Sequence, residues 1–269
     1  MDTLIIEEVY EKVEVNNNDS ILINSGIYTA NSYTDENINI TIKEYYYNNT
    51  SVYVADVTLT SSDYLKTAFA KSAYGKNVTD YTSSIAESVN AILAINGDFY
   101  GVQENGYVLK NGVVYRNTAR ANQEDLVIYK DGSWQVINES DVNISDLVNA
   151  GAYNILSFGP ALIKDSNVVV STNAEVGKSM ASNPRSAVGK ISDNHYVFVV
   201  SDGRTSSSTG LSLYEIAEFM KNLGCDVAYN LDGGGSSTIV FNGTVINNPT
   251  TNGNKISERK VSDIVYIGY

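Results

Sequence analysis

Short β-prone runs separated by tight-turn pairs recur along most of this 269-residue chain, and that rhythm restricts it to sheet-rich folds. Asn39 to Lys43 alternates apolar and polar residues, Tyr45-Tyr46-Tyr47 leads to a turn at Asn48-Asn49, and Val52 to Leu59 is strongly β-prone. Asn111-Gly112, Asp131-Gly132 and Asn242-Gly243 each sit between such runs, where a two-residue hairpin needs positive φ. Helical spacing interrupts the rhythm clearly in two places. Val78, Thr82, Ile85 and Val89 predict a helix over 79–90, feeding a buried strand at Ala91 to Ile95. Ser212 and Glu215 spell a capping box, Leu213, Ile216, Ala217, Met220 and Leu223 form an apolar stripe, and Gly224 supplies a left-handed stop. With Tyr196 to Val200 before that helix and Val227 to Leu231 after it, a strand–helix–strand crossover is expected. The fold class is α+β: a mixed, mostly antiparallel sheet system with a few packed helices.

Residues 1–37 are polar and irregular, with a loop-like Asn16-Asn17-Asn18-Asp19 run, and 38–269 reads as one domain. Met1 to Tyr10 has neither the basic nor the apolar part of a signal peptide. No run approaches the ~18 apolar residues that span a bilayer, so no membrane insertion is expected. One histidine and one cysteine exclude a Cys/His zinc site, an internal disulfide and a CxxC redox pair. A net charge of −13 argues against nucleic acid, whose phosphates are held by Lys and Arg.

Three apolar strands end alike. Ala91 to Ile95 runs into Asn96-Gly97-Asp98, Tyr196 to Val200 into Ser201-Asp202-Gly203-Arg204, and Val227 to Leu231 into Asp232-Gly233-Gly234-Gly235-Ser236-Ser237. Taken singly, an Asp-Gly pair is more often a turn. Three carboxylates beyond three buried strands, beside glycines that let a ligand approach the backbone, shift the balance to a site. The last string lacks the Gly-Lys-Ser/Thr of a phosphate-binding P-loop and precedes a strand rather than a helix. Its successive N–H groups, with the Ser236 and Ser237 hydroxyls, suit an anion-binding nest. The chain has five arginines, and Arg185, Arg204 and Arg259 fall among these motifs, where guanidinium gives a bidentate grip on phosphate or carboxylate. His195 and Cys225 carry no motif and are expected to be structural, as is Glu215 in its capping box.

Asn96-Gly97-Asp98-Phe99-Tyr100, Phe158-Gly159-Pro160, Asn183-Pro184-Arg185-Ser186-Ala187-Val188-Gly189, Asp202-Gly203-Arg204, Gly210-Leu211-Ser212 and Asn230-Leu231-Asp232-Gly233-Gly234-Gly235-Ser236-Ser237 occur in that order. Over roughly residues 38–269 this set resembles the phosphodiester glycosidase domain family. The resemblance implies an α+β fold and hydrolysis of the sugar C1–O bond of a sugar-1-phosphodiester. Bacterial relatives act in cell-surface and exopolysaccharide settings, so it also implies a secreted or cell-surface location. A phosphate leaving group needs little general-acid help, so no cofactor is required; the site must instead stabilise departing charge. Asp232 or Asp98 is expected as the carboxylate acting as base or nucleophile, Arg185 and Arg204 on the phosphate, and Gly233, Gly234, Gly235, Ser236 and Ser237 as the oxyanion cradle. Asp202, Asn96, Asn230 and Arg259 support or position. Two alternatives stay open: a module that binds an anionic glycan without turnover, and a divalent-cation (calcium) site using Asp56, Asp98, Asp202 and Asp232.

Overall fold

The computed structural model describes residues 26–175 and 182–269, so the Asn16–Asp19 run lies outside the described residues. Strands β1 (Ile27–Tyr28) and β2 (Ser32–Thr34) stand inside the stretch expected to be irregular to residue 37. Their anchor is Tyr33, which is buried and donates from its hydroxyl to Asp35 Oδ2 at 2.5 Å. Strands β3 (Ile38–Tyr47) and β4 (Thr50–Leu59) form a long hairpin. Asn48 and Asn49, at φ of 48° and 57°, supply its left-handed turn.

Strand β5 (Leu65–Phe69) precedes helix α1 (Thr82–Ser88), which is shorter at both ends than the 79–90 expected. Asn90, at φ 50°, turns the chain into β6 (Leu93–Asn96). Strands β7 (Val108–Lys110) and β8 (Val113–Arg116) close around Asn111-Gly112, both residues at positive φ. A meander follows with β9 (Glu124–Tyr129), β10 (Trp134–Asn138), helix α2 (Ile144–Asn149) and β11 (Ala152–Leu156). Between β9 and β10 only Gly132 takes positive φ, because Asp131 Oδ1 instead accepts from the Ser133 N–H and hydroxyl. Helix α2 escapes a periodicity reading because it is six residues long and buries only Ile144 and Leu147.

Then come β12 (Ala161–Lys164), β13 (Asn167–Val168), β14 (Arg185–Ser192), β15 (His195–Ser201), α3 (Leu213–Asn222) and β16 (Val227–Asn230). The chain ends with β17 (Ile239–Phe241), β18 (Thr244–Val245) and β19 (Asp263–Ile267). The capping box of α3 is formed: Ser212 Oγ accepts from Glu215 N at 3.1 Å, and Glu215 Oε2 accepts from Ser212 N at 2.7 Å.

Nine strands form one sheet in the order β1-β2-β3-β4-β15-β14-β16-β12-β13, and five form a second, β18-β17-β6-β19-β5. Strands β10-β9-β11 and β7-β8 make two small sheets. Pairing is antiparallel in every ladder among the described residues. The expected crossover is split: β15 and β16 both pair with β14, so they run parallel with β14 between them.

The all-apolar run of β15 reflects burial on two faces. Val197 and Val199 point into a cluster with α3 residues Leu213, Ile216 and Met220. Phe198 and Val200 point the other way, into a cluster with Leu93, Ile95, Ile239 and Val265 of the five-stranded sheet. The large sheet is thus the middle layer, with α3 on one side and the second sheet on the other. Cys225 is buried beneath α3, and His195 Nε2 lies 2.9 Å from Asp56 Oδ1.

Candidate active site

The ends of β16, β6 and β19 meet where the two large sheets face each other, and the candidate residues gather around the loop leaving β16. Gly234, at φ 62°, opens a single 3₁₀ turn over Gly234–Ser236. Asp232 lies at its entrance and is buried, with Arg259 against it. Arg259 Nη2 donates to Asp232 Oδ1 and Oδ2 at 3.3 and 3.2 Å and to Gly233 O at 3.0 Å, while its Nε donates to Ser236 Oγ at 2.9 Å. One guanidinium therefore fixes the carboxylate, the loop backbone and a loop hydroxyl together. Burial raises the Asp232 pKa above the ordinary carboxylate value, opposed by Arg259 and by hydrogen bonds from Ser236 and the Gly233 N–H.

Two further arginines flank the loop. Arg204 has left-handed backbone (φ 64°), and its Nε and Nη2 donate to Asn183 Oδ1 at 3.2 and 2.8 Å. Its Nη1 donates to the Thr251 carbonyl. These are neutral acceptors, and burial together with neighbouring Arg259 lowers its pKa. Arg185 is buried and donates from Nε to Leu211 O at 2.9 Å. Burial pushes its pKa down to about 10, against the attraction of Glu175, and it stays charged at neutral pH. Arg185, Arg204 and Arg259 thus form a series of electrostatic neighbours.

The remaining expected residues frame this centre. Asn96 Nδ2 donates to Asp232 O at 2.6 Å, and its Oδ1 accepts from Ser186 Oγ at 2.7 Å, tying β6, β14 and β16 together. Asn230 Nδ2 donates to Gly159 O at 2.8 Å, which assigns the Phe158-Gly159-Pro160 motif a supporting place under β16. Asp202 is tied to the end of the loop through Asn247: its oxygens accept from Asn247 Nδ2, Asn248 N and Asn248 Nδ2 at 3.2, 2.8 and 2.9 Å, and Asn247 Nδ2 also donates to Ser237 O at 3.0 Å. Three N–H groups of the expected cradle are already engaged within the protein, from Gly234 across to Pro184 O and, within the turn, from Ser236 to Gly233 O and Ser237 to Gly234 O. Asp56, Asp98, Asp202 and Asp232 have separate partners. Among the described residues no three His, Cys, Asp or Glu side chains converge as a metal site.

Asp98 belongs to a buried network that includes two residues absent from the sequence reading. Its Oδ2 accepts from Lys110 Nζ and Ser157 N, each at 3.0 Å, and its Oδ1 from Tyr100 N at 3.0 Å. Lys110 Nζ also lies 2.7 Å from Asp263 Oδ2, and the three side chains are at most 2% exposed. A Cβ on residue 97 would stand 2.4 Å from Asp263 Oδ1, so Gly97 is what lets the carboxylate in. The network adjoins Asp232, whose N–H donates to Gly97 O at 3.4 Å. Burial, then Asp98, lifts the Asp263 pKa to about 7 against the pull of Lys110. Burial alone would lower the Lys110 pKa, but the two carboxylates outweigh it and raise it. One signal for Asp263 was available: an aspartate inside the otherwise apolar last strand.

Comparison with known proteins gives a consistent answer. The phosphodiester glycosidase family model matches residues 89–268. The SPbeta prophage-derived uncharacterized protein YomE of Bacillus subtilis (strain 168) is 32% identical over 205 residues, covering 74% of this chain and 31% of that protein. N-acetylglucosamine-1-phosphodiester alpha-N-acetylglucosaminidase of Mus musculus is 27% identical over 172 residues, 59% of this chain and 33% of that enzyme. The chain thus spans about a third of the length of these relatives. Among solved structures, the zebrafish catalytic domain of the same enzyme, auto-inhibited by its pro-peptide, superposes with a TM-score of 0.68 at 21% identity, covering 86% of this chain and 83% of that one. A hypothetical protein from Synechocystis superposes with a TM-score of 0.59 at 16% identity, over 86% and 62% of the two chains, and shares the fold. On the family match and the shared motif string together, the chain belongs to the phosphodiester glycosidase family.

Proposed function

We propose that this chain hydrolyses the sugar C1–O bond of a sugar-1-phosphodiester, on a bacterial cell-surface or exopolysaccharide-type substrate. The observation that carries this reading is Asp232 held by Arg259 on a loop flanked by Arg204 and Arg185. A phosphodiester needs cationic groups at the bond that breaks, and a glycosyl carbon needs a carboxylate within reach. Asp232 fits that carboxylate better than Asp98, which spends its oxygens on Lys110, Ser157 N and Tyr100 N. In the reaction, water adds to C1, the C1–O bond breaks and the phosphate oxygen leaves with the bonding pair. The water proton passes to Asp232, and the arginines carry the charge on the departing phosphomonoester. Attack by Asp232 itself, followed by water, is the two-step variant, and retention at C1 instead of inversion distinguishes it.

The test is release of free reducing sugar from UDP-N-acetylglucosamine and related sugar-1-phosphodiesters. Asp232→Asn is expected to lower kcat by at least ~10³-fold and Arg204→Ala by ~10²-fold, both with unchanged folding. Full turnover by both variants would refute the assignment. Substrate binding without sugar release by the wild-type chain would instead establish an anionic-glycan-binding module.

A further inference from the structure

Arg259 reaches Asp232 from a strap, residues 258–261, whose other members hold to the start of helix α1. We infer that Glu258 is a positioning residue: docked on the first turn of α1, it sets where Arg259 presents its guanidinium to Asp232. Its effect on turnover rests on the phosphodiester reading above; its effect on Asp232 itself does not.

Consecutive side chains of the strap point to opposite sides, as in any extended segment. Arg259 turns to the loop leaving β16, where its N–H also donates to Gly235 O at 3.1 Å. Glu258 and Lys260 turn the other way. Glu258 Oε1 accepts from Ser83 N at 3.0 Å, and its Oε2 accepts from Ser83 Oγ at 2.5 Å. Lys260 Nζ stands 5.2 Å from the centroid of the Tyr81 ring. Val261 then exchanges both backbone hydrogen bonds with Asp80, at 3.0 and 2.8 Å. Three residues of the strap thus hold to residues 80–83, and Arg259 between them holds to the candidate centre.

Both ends of the Glu258 contact have a physical reason. Ser83 lies in the first turn of α1, where N–H groups have no partner inside the helix, and Tyr81 at the N-cap makes no side-chain capping bond. Glu258 supplies the missing acceptor, with a charge that suits that end of a helix. The base is firm, because Ile85 and Ala86 of α1 pack with Val261 and Ile264 in one buried cluster. Arg259 needs such an anchor. Its side chain is 40% exposed, and residues 251–257 ahead of it are exposed or half-exposed. A long side chain at the surface keeps one geometry only where its backbone is held, since ordering it costs rotamer entropy. Arg259 lowers the Asp232 pKa against the effect of burial, so a displaced guanidinium shows as a rise in that pKa.

The test reads Asp232 and turnover separately. Asp232 is titrated by carbon-detected NMR of its carboxyl, assigned by its loss in Asp232→Asn, and kcat and KM are measured on UDP-N-acetylglucosamine. Glu258→Ala is expected to raise the Asp232 pKa by about one unit and to lower kcat about tenfold, with KM within about twofold. Glu258→Gln still accepts from Ser83 N and should recover most of both. Ser83→Ala removes one of the two bonds and should shift both readings the same way by less; it carries the test if Glu258→Ala fails to fold. Lower thermal stability with the Asp232 titration and kcat unchanged would make Glu258 a helix cap only, which overturns the inference and leaves the hydrolase reading standing. A raised Asp232 pKa in Glu258→Ala, in a protein whose wild type releases no sugar, supports the positioning role and overturns the hydrolase reading.

Discussion

At the scale of single residues, the decisive feature is a lysine that serves two buried carboxylates. Lys110 lies between Asp98 and Asp263, and the three side chains are essentially closed to water. Removing the cation leaves two uncompensated acids, a far larger loss than that of a surface pair. Lys110→Met is expected to destabilise the fold by about 3–5 kcal/mol, measured by urea unfolding at pH 7.5. Adding Asp263→Asn to it should recover part of that loss, because one carboxylate then no longer needs a partner. The pH dependence follows from the raised Asp263 pKa. Between the ordinary carboxylate value of 3.8 and about 7, the unfolded chain has released this proton while the folded chain keeps it. The unfolded state therefore binds fewer protons, and the Asp263 contribution to stability falls as pH rises through that window. Asp263→Asn should remove this component, visible as a flatter stability curve from pH 4 to 7; an unchanged slope would contradict it. Asp232, Arg185, Arg204 and Arg259 were legible in the sequence because each sits in or beside a local motif. Lys110 was not, since a lysine before an Asn-Gly turn normally reads as solvated, and the pairing of β19 with β6 that sets Asp263 beside Gly97 and Asp98 is a long-range contact.

At the scale of elements, the hairpins at Asn48-Asn49, Asn111-Gly112 and Asn242-Gly243 and the capped helix α3 could be read directly, because turn and cap chemistry act within a few residues. The boundaries of α1 and the existence of α2 could not, as tertiary burial rather than local pattern holds such short helices, nor could β1, exposed at both residues and held by its pairing with β2. Helix α3 also shows how one absent side chain sets an element's seat. It lies over β14 at Gly189, where an added Cβ would stand 2.6 Å from Cys225 Sγ and 2.9 Å from Met220 Cε. Gly189→Ala is expected to cost about 1–3 kcal/mol by lifting α3 from the sheet. Methionine can shift, whereas Cys225 is fixed behind the helix by Gly224, so Cys225→Ala should relieve most of the strain. A double-mutant cycle in urea reads this coupling, and additive costs would show that the contact is not the cause.

At the scale of the whole molecule, the candidate centre is non-local, because it forms where β16 of one sheet meets β6 and β19 of another. The family motifs indicated that their carboxylates and arginines belong together, but the sheet order that joins them and buries Asp98 is a property of long-range pairing. The overall charge bears on how a substrate reaches that centre. The chain carries −13, yet Arg185, Arg204 and Arg259 cluster around one loop. An anionic substrate approaching from a distance meets the net negative field first and the arginines only on arrival. The Debye length shortens from about 30 Å at 0.01 M salt to about 8 Å at 0.15 M, which screens the long-range repulsion before it weakens contacts inside the cleft. For UDP-N-acetylglucosamine, kcat/KM is therefore expected to rise about two- to fivefold over that range. Arg204→Ala should lower the whole curve while keeping the upward slope, since the slope belongs to the shell and the height to the cleft. A steep fall with salt in the wild type would mean that the arginine field reaches beyond the acidic shell and that steering, rather than contact, brings the substrate in.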